Sequence, residues 1–159
     1  MTTQRYPVAS LMRLTTDLFV AAGMDVDKAE VVAETLVTGD MVGQRTHGVA
    51  LCPQYLEQID KELMVKVGEP EVVRDSSSVF VWDGGYRPGP WLVARALDEA
   101  TTRLAEHGVI TAVIRRSHHI ACLTALIRRA TERGQAVILA SSDPAFGFIA
   151  PYGGKEGLF

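Results

Sequence analysis

Two adjacent imidazoles stand at the end of a strongly apolar segment of this chain. Residues 108–114 (GVITAVI) have the composition of a strand, and residues 121–133 repeat apolar side chains at helical spacing. His118 and His119 fall on the turn between them, and ligands of α/β proteins bind outside the carboxyl ends of the strands. A histidine at a helix start feels the positive end of the helix dipole, which favours the neutral ring. His119 is therefore the first candidate for a general base; the alternative is that the pair caps the helix or is solvated.

A third histidine, His47, lies in the polar segment 43–48 (GQRTHG), which begins and ends with glycine. Arg45 stands two residues before it. A cation and an imidazole between glycines are typical of a binding loop, because the backbone can approach a ligand closely there. The alternative for His47 is a solvated loop side chain.

Several other classes of site are missing from the sequence. There is no GxGxxG segment after a strand and no GxxxxGK[ST] segment, so neither common phosphate-binding fingerprint is present. Residues 84–89 are rich in glycine, but their spacing favours a connection between a hairpin and a helix over a phosphate cradle. Cys52 and Cys122 have no ligand or disulfide spacing, so we expect two buried thiols and no metal.

Composition limits the class of protein and its partners. A chain of 159 residues with 47% apolar and 22% charged residues is expected to form one ordinary globular domain. The net charge of −3 and the scattered basic residues argue against nucleic acid or an anionic membrane as a partner. No apolar run approaches the roughly 20 residues of a membrane span, and no signal-peptide core opens the sequence. A cytoplasmic location is therefore expected.

Periodicity predicts an α/β fold in which N-terminal helices precede a mixed sheet with αβαβ units. Residues 1–65 are predicted to be helical, with the first helix stopping at Gly23 and the second capped by Asp27 and Glu30. Residues 66–159 form the first part of an α/β domain. Its predicted elements are a hairpin of strands 72–74 and 78–82, a helix over 91–106, the strand at 108–114, the helix at 121–133 and a strand at 136–140.

Four segments resemble, in the same order, motifs of the malate/L-lactate dehydrogenase family of non-Rossmann NAD(P)-dependent oxidoreductases. Together they span nearly the whole chain, which makes the resemblance more specific than any one motif. The segments are residues 45–56, similar to S/T-H-G-V followed by P-x-Y-L; residues 105–108 before an apolar strand; residues 116–119, similar to N-S-x-H; and residues 151–156, similar to P-Y/W-G-G.

The resemblance implies a hydride transfer with NAD or NADP at C2 of a small 2-hydroxy, 2-oxo or cyclic 2-imino acid. His119 stands where the family has its proton-transfer histidine, and His47 where a histidine contacts substrate and cofactor. Ser142 stands where a serine touches the nicotinamide. Family members are dimers or larger, and the apolar faces of the N-terminal helices agree with a homodimer or higher oligomer.

The sequence also departs from the family pattern. Leu51 replaces the usual arginine that clamps the substrate carboxylate, and Val42 replaces another arginine, so Arg45 is the candidate for that positive charge. Ile120 and Ala121 replace the usual F-G. The chain ends where the family's G-T-N-P segment and the rest of its cofactor-binding domain follow, so we expect an incomplete α/β domain. The alternative function is a truncated, non-catalytic remnant that keeps the fold and dimer surface but binds no dinucleotide.

Overall fold

The computed structural model describes residues 5–142 and 150–157. Helices α1 (Val8–Ala21), α2 (Val26–Met41) and α3 (Cys52–Asp60) come first, as the sequence predicts. Two short 3-10 turns, Arg45–His47 and Val49–Leu51, connect α2 to α3. Helix α1 ends just before a glycine with a φ of 87°, a conformation that suits the end of a helix.

The helical part has its own core, and the histidine turn contributes to it. The core includes side chains from all three helices together with Ala121, so burial of the helices also fixes the turn. Burying each large apolar side chain contributes about 1.5–3 kcal/mol. The buried members are Phe19, Met24, Ala29, Val32, Leu36, Cys52, Tyr55, Ile59, Met64 and Ala121.

The predicted capping box of α2 is wrong. The N-cap position is Asp25, and no side chain caps the helix. Asp27 instead accepts a hydrogen bond of 2.7 Å from the Trp91 indole, and Asp25 accepts one of 2.9 Å from the buried Lys28 ammonium. A tertiary partner, Trp91, thus takes the Asp27 carboxylate that local spacing assigned to the helix terminus.

A three-stranded mixed sheet follows the helices. Strands β1 (Glu71–Asp75) and β2 (Val79–Asp83) form the predicted antiparallel hairpin, and β3 (Thr111–Arg115) pairs in parallel with β2. Helix α4 (Gly89–His107) makes the crossover, and α5 (Leu123–Thr131) follows β3. One face of the sheet packs on α4 through Phe80, Trp82, Ala96, Ala100, Ile110 and Ile114. The predicted α/β fold class, with helices before a mixed sheet, is confirmed.

The strand predicted at residues 136–140 does not form within the described residues. This segment pairs with no described strand, and the Ile138 side chain is 99% exposed. A β-branched apolar run favours extended backbone, yet a strand also needs a hydrogen-bonded neighbour. The composition of a segment indicates its preference for extended backbone, but it does not show whether a neighbouring strand is available.

The described residues form neither a membrane span nor a metal cluster. None of their helices is long and apolar enough to cross a bilayer. No group of three or more His, Cys, Asp or Glu side chains among them could hold a metal ion.

Cys52 and Cys122 are buried thiols, as the sequence predicts. Burial raises the pKa of the Cys52 thiol to about 11, so the thiol stays protonated and unreactive near neutral pH.

Candidate active site

The turn that carries the two histidines runs from the end of β3 to the start of α5. Two residues with left-handed backbone bracket it, Arg116 at a φ of 50° and Ala121 at 53°. Such a conformation costs about 1–2 kcal/mol for a residue with a Cβ atom. Packing of the Ala121 methyl group in the helical core offsets part of this cost.

His119 is held by hydrogen bonds and not by a helix terminus. Helix α5 begins only at Leu123, so the prediction that His119 stands at the start of this helix is wrong. The Tyr55 hydroxyl instead donates to the His119 carbonyl oxygen at 3.1 Å and lies 2.9 Å from His119 Nδ1. The Ala121 amide nitrogen lies 3.3 Å from the same ring nitrogen.

Tyr55 is the residue of the site that sequence reasoning missed. It is fully buried on α3, and its ring meets the rings of His118 and His119 edge-on, at centroid distances of 5.8 and 5.9 Å. Burial raises the pKa of Tyr55, so its hydroxyl stays neutral and can donate. A signal was present, since Tyr55 shares the apolar face of α3 with Cys52 and brings a hydroxyl into the core.

His47 stacks on His119, so the structure brings the two predicted histidines together. Their ring centroids are 6.0 Å apart and the ring planes differ by 23°. His47 Nδ1 lies 2.9 Å from the Thr46 hydroxyl, which restrains the ring. The His47 residue is exposed, so a small ligand can reach the pair from solvent.

The loop that carries His47 is tied to the start of α5. The Gln44 amide donates to the Thr124 hydroxyl at 3.1 Å and accepts a hydrogen bond from the Cys122 thiol at 3.0 Å. Gly39 of α2 lets the loop approach, because a Cβ atom there would lie 2.7 Å from the His47 carbonyl oxygen. The loop and the histidine turn are therefore fixed to each other as well as to the core.

The two other predicted site residues are exposed. Arg45 is the first residue of the 3-10 turn that contains His47, and Ser142 follows α5 in a segment with no assigned helix or strand. Exposure leaves both side chains accessible to a ligand. Their assignment to substrate and cofactor still rests on the family resemblance.

Asp83 anchors the start of the histidine turn. This carboxylate ends β2 and is almost completely buried, and it accepts hydrogen bonds from Arg116 at 2.8 Å, Arg115 at 2.9 Å and the Gly85 amide at 3.0 Å. The bond from Arg116 is the main reason that the pKa of Asp83 falls to about 2, and it outweighs burial, which acts in the opposite direction. The ion pair holds the end of β3 beside β2.

We expect the Asp83 cluster to make the protein sensitive to acid. A carboxyl group whose pKa is lowered by folding stabilises the protein above its unfolded pKa, near 3.8, and this contribution is lost as the pH falls towards 2. Urea unfolding of wild type and Asp83→Asn between about pH 5 and pH 2.5 measures it. The gap in stability between the two proteins should narrow as the pH falls, and a constant gap would contradict the prediction.

Gly89, the first residue of α4, packs against the backbone of the histidine turn. A Cβ atom there would lie 2.5 Å from the His118 carbonyl oxygen and 2.8 Å from that of His119. It would also lie 2.3 Å from Cγ2 of Ile120. Two of these neighbours are backbone atoms, so the turn itself would have to move. The glycine-rich segment thus connects the hairpin to a helix, as predicted, and also supports the candidate site.

Gly89→Ala should therefore displace His119 and destabilise the fold by about 1–3 kcal/mol. The displacement is read from the ring resonances of His119, and stability from urea unfolding. Gly108→Ala is the control, since its Cβ atom meets nothing within 4 Å and only its φ of 70° is strained. The control should lose stability with unchanged His119 resonances. Unchanged resonances in Gly89→Ala would refute the steric argument.

The chain is similar in sequence to known proteins. The sequence profile of the malate/L-lactate dehydrogenase family matches residues 6–159. The L-lactate dehydrogenase of Cupriavidus necator is 27% identical over 152 residues, which cover 93% of this chain and 43% of that protein. The (2R)-3-sulfolactate dehydrogenase (NADP(+)) of Chromohalobacter salexigens is 28% identical over 139 residues, or 87% of this chain and 41% of that protein.

Solved structures give the same result. A dehydrogenase from Sinorhizobium meliloti superposes with a TM-score of 0.77 at 27% identity, over 82% of this chain and 41% of that one. The delta1-piperideine-2-carboxylate reductase of Pseudomonas syringae superposes with a TM-score of 0.75 at 25% identity, over 83% and 40%. The chain thus spans about two fifths of the length of the relatives it matches. It belongs to the malate/L-lactate dehydrogenase family.

Proposed function

We propose that this chain carries the acid–base site of an NAD(P)-dependent oxidoreductase. The reaction is reversible hydride transfer at C2 of a small 2-hydroxy, 2-oxo or cyclic 2-imino acid. The observation that carries the proposal is the stacked pair of His47 and His119, which come from distant parts of the sequence and meet at an exposed edge of the helical core. Family membership supplies the class of reaction.

The chain's own residues have separable roles in this proposal. His119 exchanges one proton with the oxygen or nitrogen on C2. Its ring is suited to this role because the Tyr55 hydroxyl and the Ala121 amide hold its Nδ1 by hydrogen bonds. His47 lies against that ring and orients the substrate. Arg45, exposed in the same turn as His47, pairs with the substrate carboxylate, which suits the planar guanidinium.

The cofactor is NAD or NADP, which when bound supplies or accepts the hydride. The described side chains fit the nicotinamide end of such a molecule by their chemistry: Ser142 offers an exposed hydroxyl for a carboxamide, and His47 an exposed imidazole. In this proposal Ser142 would hold the carboxamide, and His47 would contact both cofactor and substrate.

The substrate class follows from the relatives and from the chemistry of the site's side chains. The relatives are named for lactate, sulfolactate and a cyclic imino acid. These molecules share a carboxylate next to the reacting carbon, which agrees with one cation and two imidazoles at the site.

We also propose a homodimer, because α1 leaves Leu14 56% and Leu18 40% exposed.

Substrate binding tests the function without requiring turnover. Pyruvate is added to the labelled chain, and the ring resonances of His47 and His119 are followed by NMR. Both should shift with pyruvate, and neither with propionate, which has the carboxylate but no 2-oxo group. Equal effects of the two acids, or no effect, would overturn the assignment. Oxidation of NADH or NADPH in the presence of 2-oxo acids then tests the reaction itself.

A further inference from the structure

Four polar atoms lie close together at the Nδ1 edge of the His119 ring. They are the Tyr55 hydroxyl, the Ala121 amide, and the Nδ1 and carbonyl oxygen of His119 itself, with separations of 2.9 to 3.3 Å. The amide can only donate a hydrogen bond and the carbonyl can only accept one. The hydroxyl and Nδ1 can each do either, so their roles depend on how many protons the ring carries.

With a neutral ring, every donor in this group has an acceptor. The Ala121 amide donates to Nδ1, and the Tyr55 hydroxyl donates to the His119 carbonyl oxygen. Because Nδ1 then accepts, the single ring proton resides on Nε2. Buried donors and acceptors are normally paired in this way, and an unpaired one costs about 1–3 kcal/mol.

With a protonated ring, Nδ1 becomes a donor and can no longer accept from Ala121. Its acceptor is the Tyr55 oxygen, 2.9 Å away. The Tyr55 hydroxyl can still donate its hydrogen bond to the His119 carbonyl oxygen at the same time. No heavy atom has to move. A phenylalanine at position 55 would keep the buried ring but would remove the Tyr55 oxygen as an acceptor for Nδ1–H, and the Ala121 amide beside Nδ1 is itself a donor.

We propose that Tyr55 is a positioning residue that stabilises protonated His119 by accepting its Nδ1–H. The catalytic meaning of this contact rests on the proposed function. In the reductive direction C2 receives a hydride from NAD(P)H, which becomes NAD(P)+. The Nε2–H bond of His119 breaks, and its proton goes to the oxygen or nitrogen on C2. The ring is then neutral, with its remaining proton on Nδ1 and held by Tyr55. It returns to the Nε2–H form of the resting ring by exchanging protons with water.

The proposal is tested by following the nitrogen resonances of the His119 ring against pH in the chain alone, without cofactor or substrate. Tyr55 of α3, His47 of the loop and the neighbouring His118 are the titratable groups whose rings lie around this site. We expect His119 in Tyr55→Phe to gain its second proton at a pH lower by about one unit, the effect of losing a hydrogen bond to a charged group. Tyr86→Phe removes the hydroxyl of an exposed tyrosine and should leave the titration unchanged.

An unchanged His119 titration in Tyr55→Phe would overturn the proposal. If that variant fails to fold, the wild-type spectrum at low pH decides, because Nδ1–H of protonated His119 should exchange slowly with water when Tyr55 holds it. Fast exchange would also overturn the proposal. This test does not depend on the proposed function. A chain without turnover can still show the shift in the titration of His119. An active enzyme without that shift would refute the role of Tyr55 and leave the proposed function standing.

Discussion

Replacing His119 with alanine should lower kcat by about 10²–10⁴-fold in a form of the protein that turns over a 2-oxo acid. The reason is that no other described group is both stacked on His47 and held from the core side by Tyr55. Binding of NADH or NADPH should be largely unaffected, because the imidazole acts on the substrate proton. Initial rates and cofactor titrations on the same preparations separate the two effects.

His107→Ala is the matched control for this experiment. His107 ends α4, so its loss removes an imidazole without touching the turn. The control should keep wild-type rates. A His119→Ala protein with near wild-type kcat would show that another group moves the proton, and it would remove the basis of the proposed acid–base site.

The second large effect is expected at Lys28, whose side chain is almost completely buried. Its ammonium lies 4.0 Å from the centroid of the Trp91 ring and 2.9 Å from Asp25. Lys28→Ala should lower the free energy of unfolding by about 2–4 kcal/mol, because it removes a desolvated cation–π contact and leaves a cavity between α2 and α4. Urea unfolding gives this value, to be compared with a total stability of about 5–15 kcal/mol for an ordinary domain.

Two companion variants locate the origin of the Lys28 effect. Lys28→Met keeps most of the side-chain volume, so its difference from Lys28→Ala measures the packing of the stem. Lys61→Met breaks the exposed ion pair with Glu57 and should change stability little. If Lys28→Ala were as stable as the Lys61 variant, the buried cluster would not contribute to holding α2 against α4.

Much of the fold follows from patterns that are local in sequence. The helix that stops at Gly23, the hairpin around residues 75–77 and the helix after the glycine-rich segment each depend on neighbours within a few positions. The family motifs indicate His47 and His119 as site residues, and the structure places their rings 6.0 Å apart. Local chemistry and resemblance were sufficient for these features.

The features that sequence did not predict depend on contacts between distant residues. Asp27 has the spacing of a helix cap, but the Trp91 indole takes its carboxylate. Tyr55 has the spacing of an ordinary core residue, and only the approach of the turn from β3 gives its hydroxyl a partner. The sequence shows Asp83 as a polar residue at the end of a strand, and only the fold brings it to Arg115, the last residue of β3, and to Arg116 just after it. Periodicity carries no information about such partners.

The separation along the chain of the residues that build the site has a consequence for the order of folding. Its hydrogen bonds join residues 64 positions apart between Tyr55 and His119, and 80 apart between Gln44 and Thr124. Closing such long loops costs more conformational entropy than joining the neighbouring helices α1 and α2. We therefore expect the helical hairpin to gain protection from hydrogen exchange first and the Ala121 amide to gain it late during refolding. An amide that reports the last step of folding would thus lie directly behind the proposed proton-transfer group.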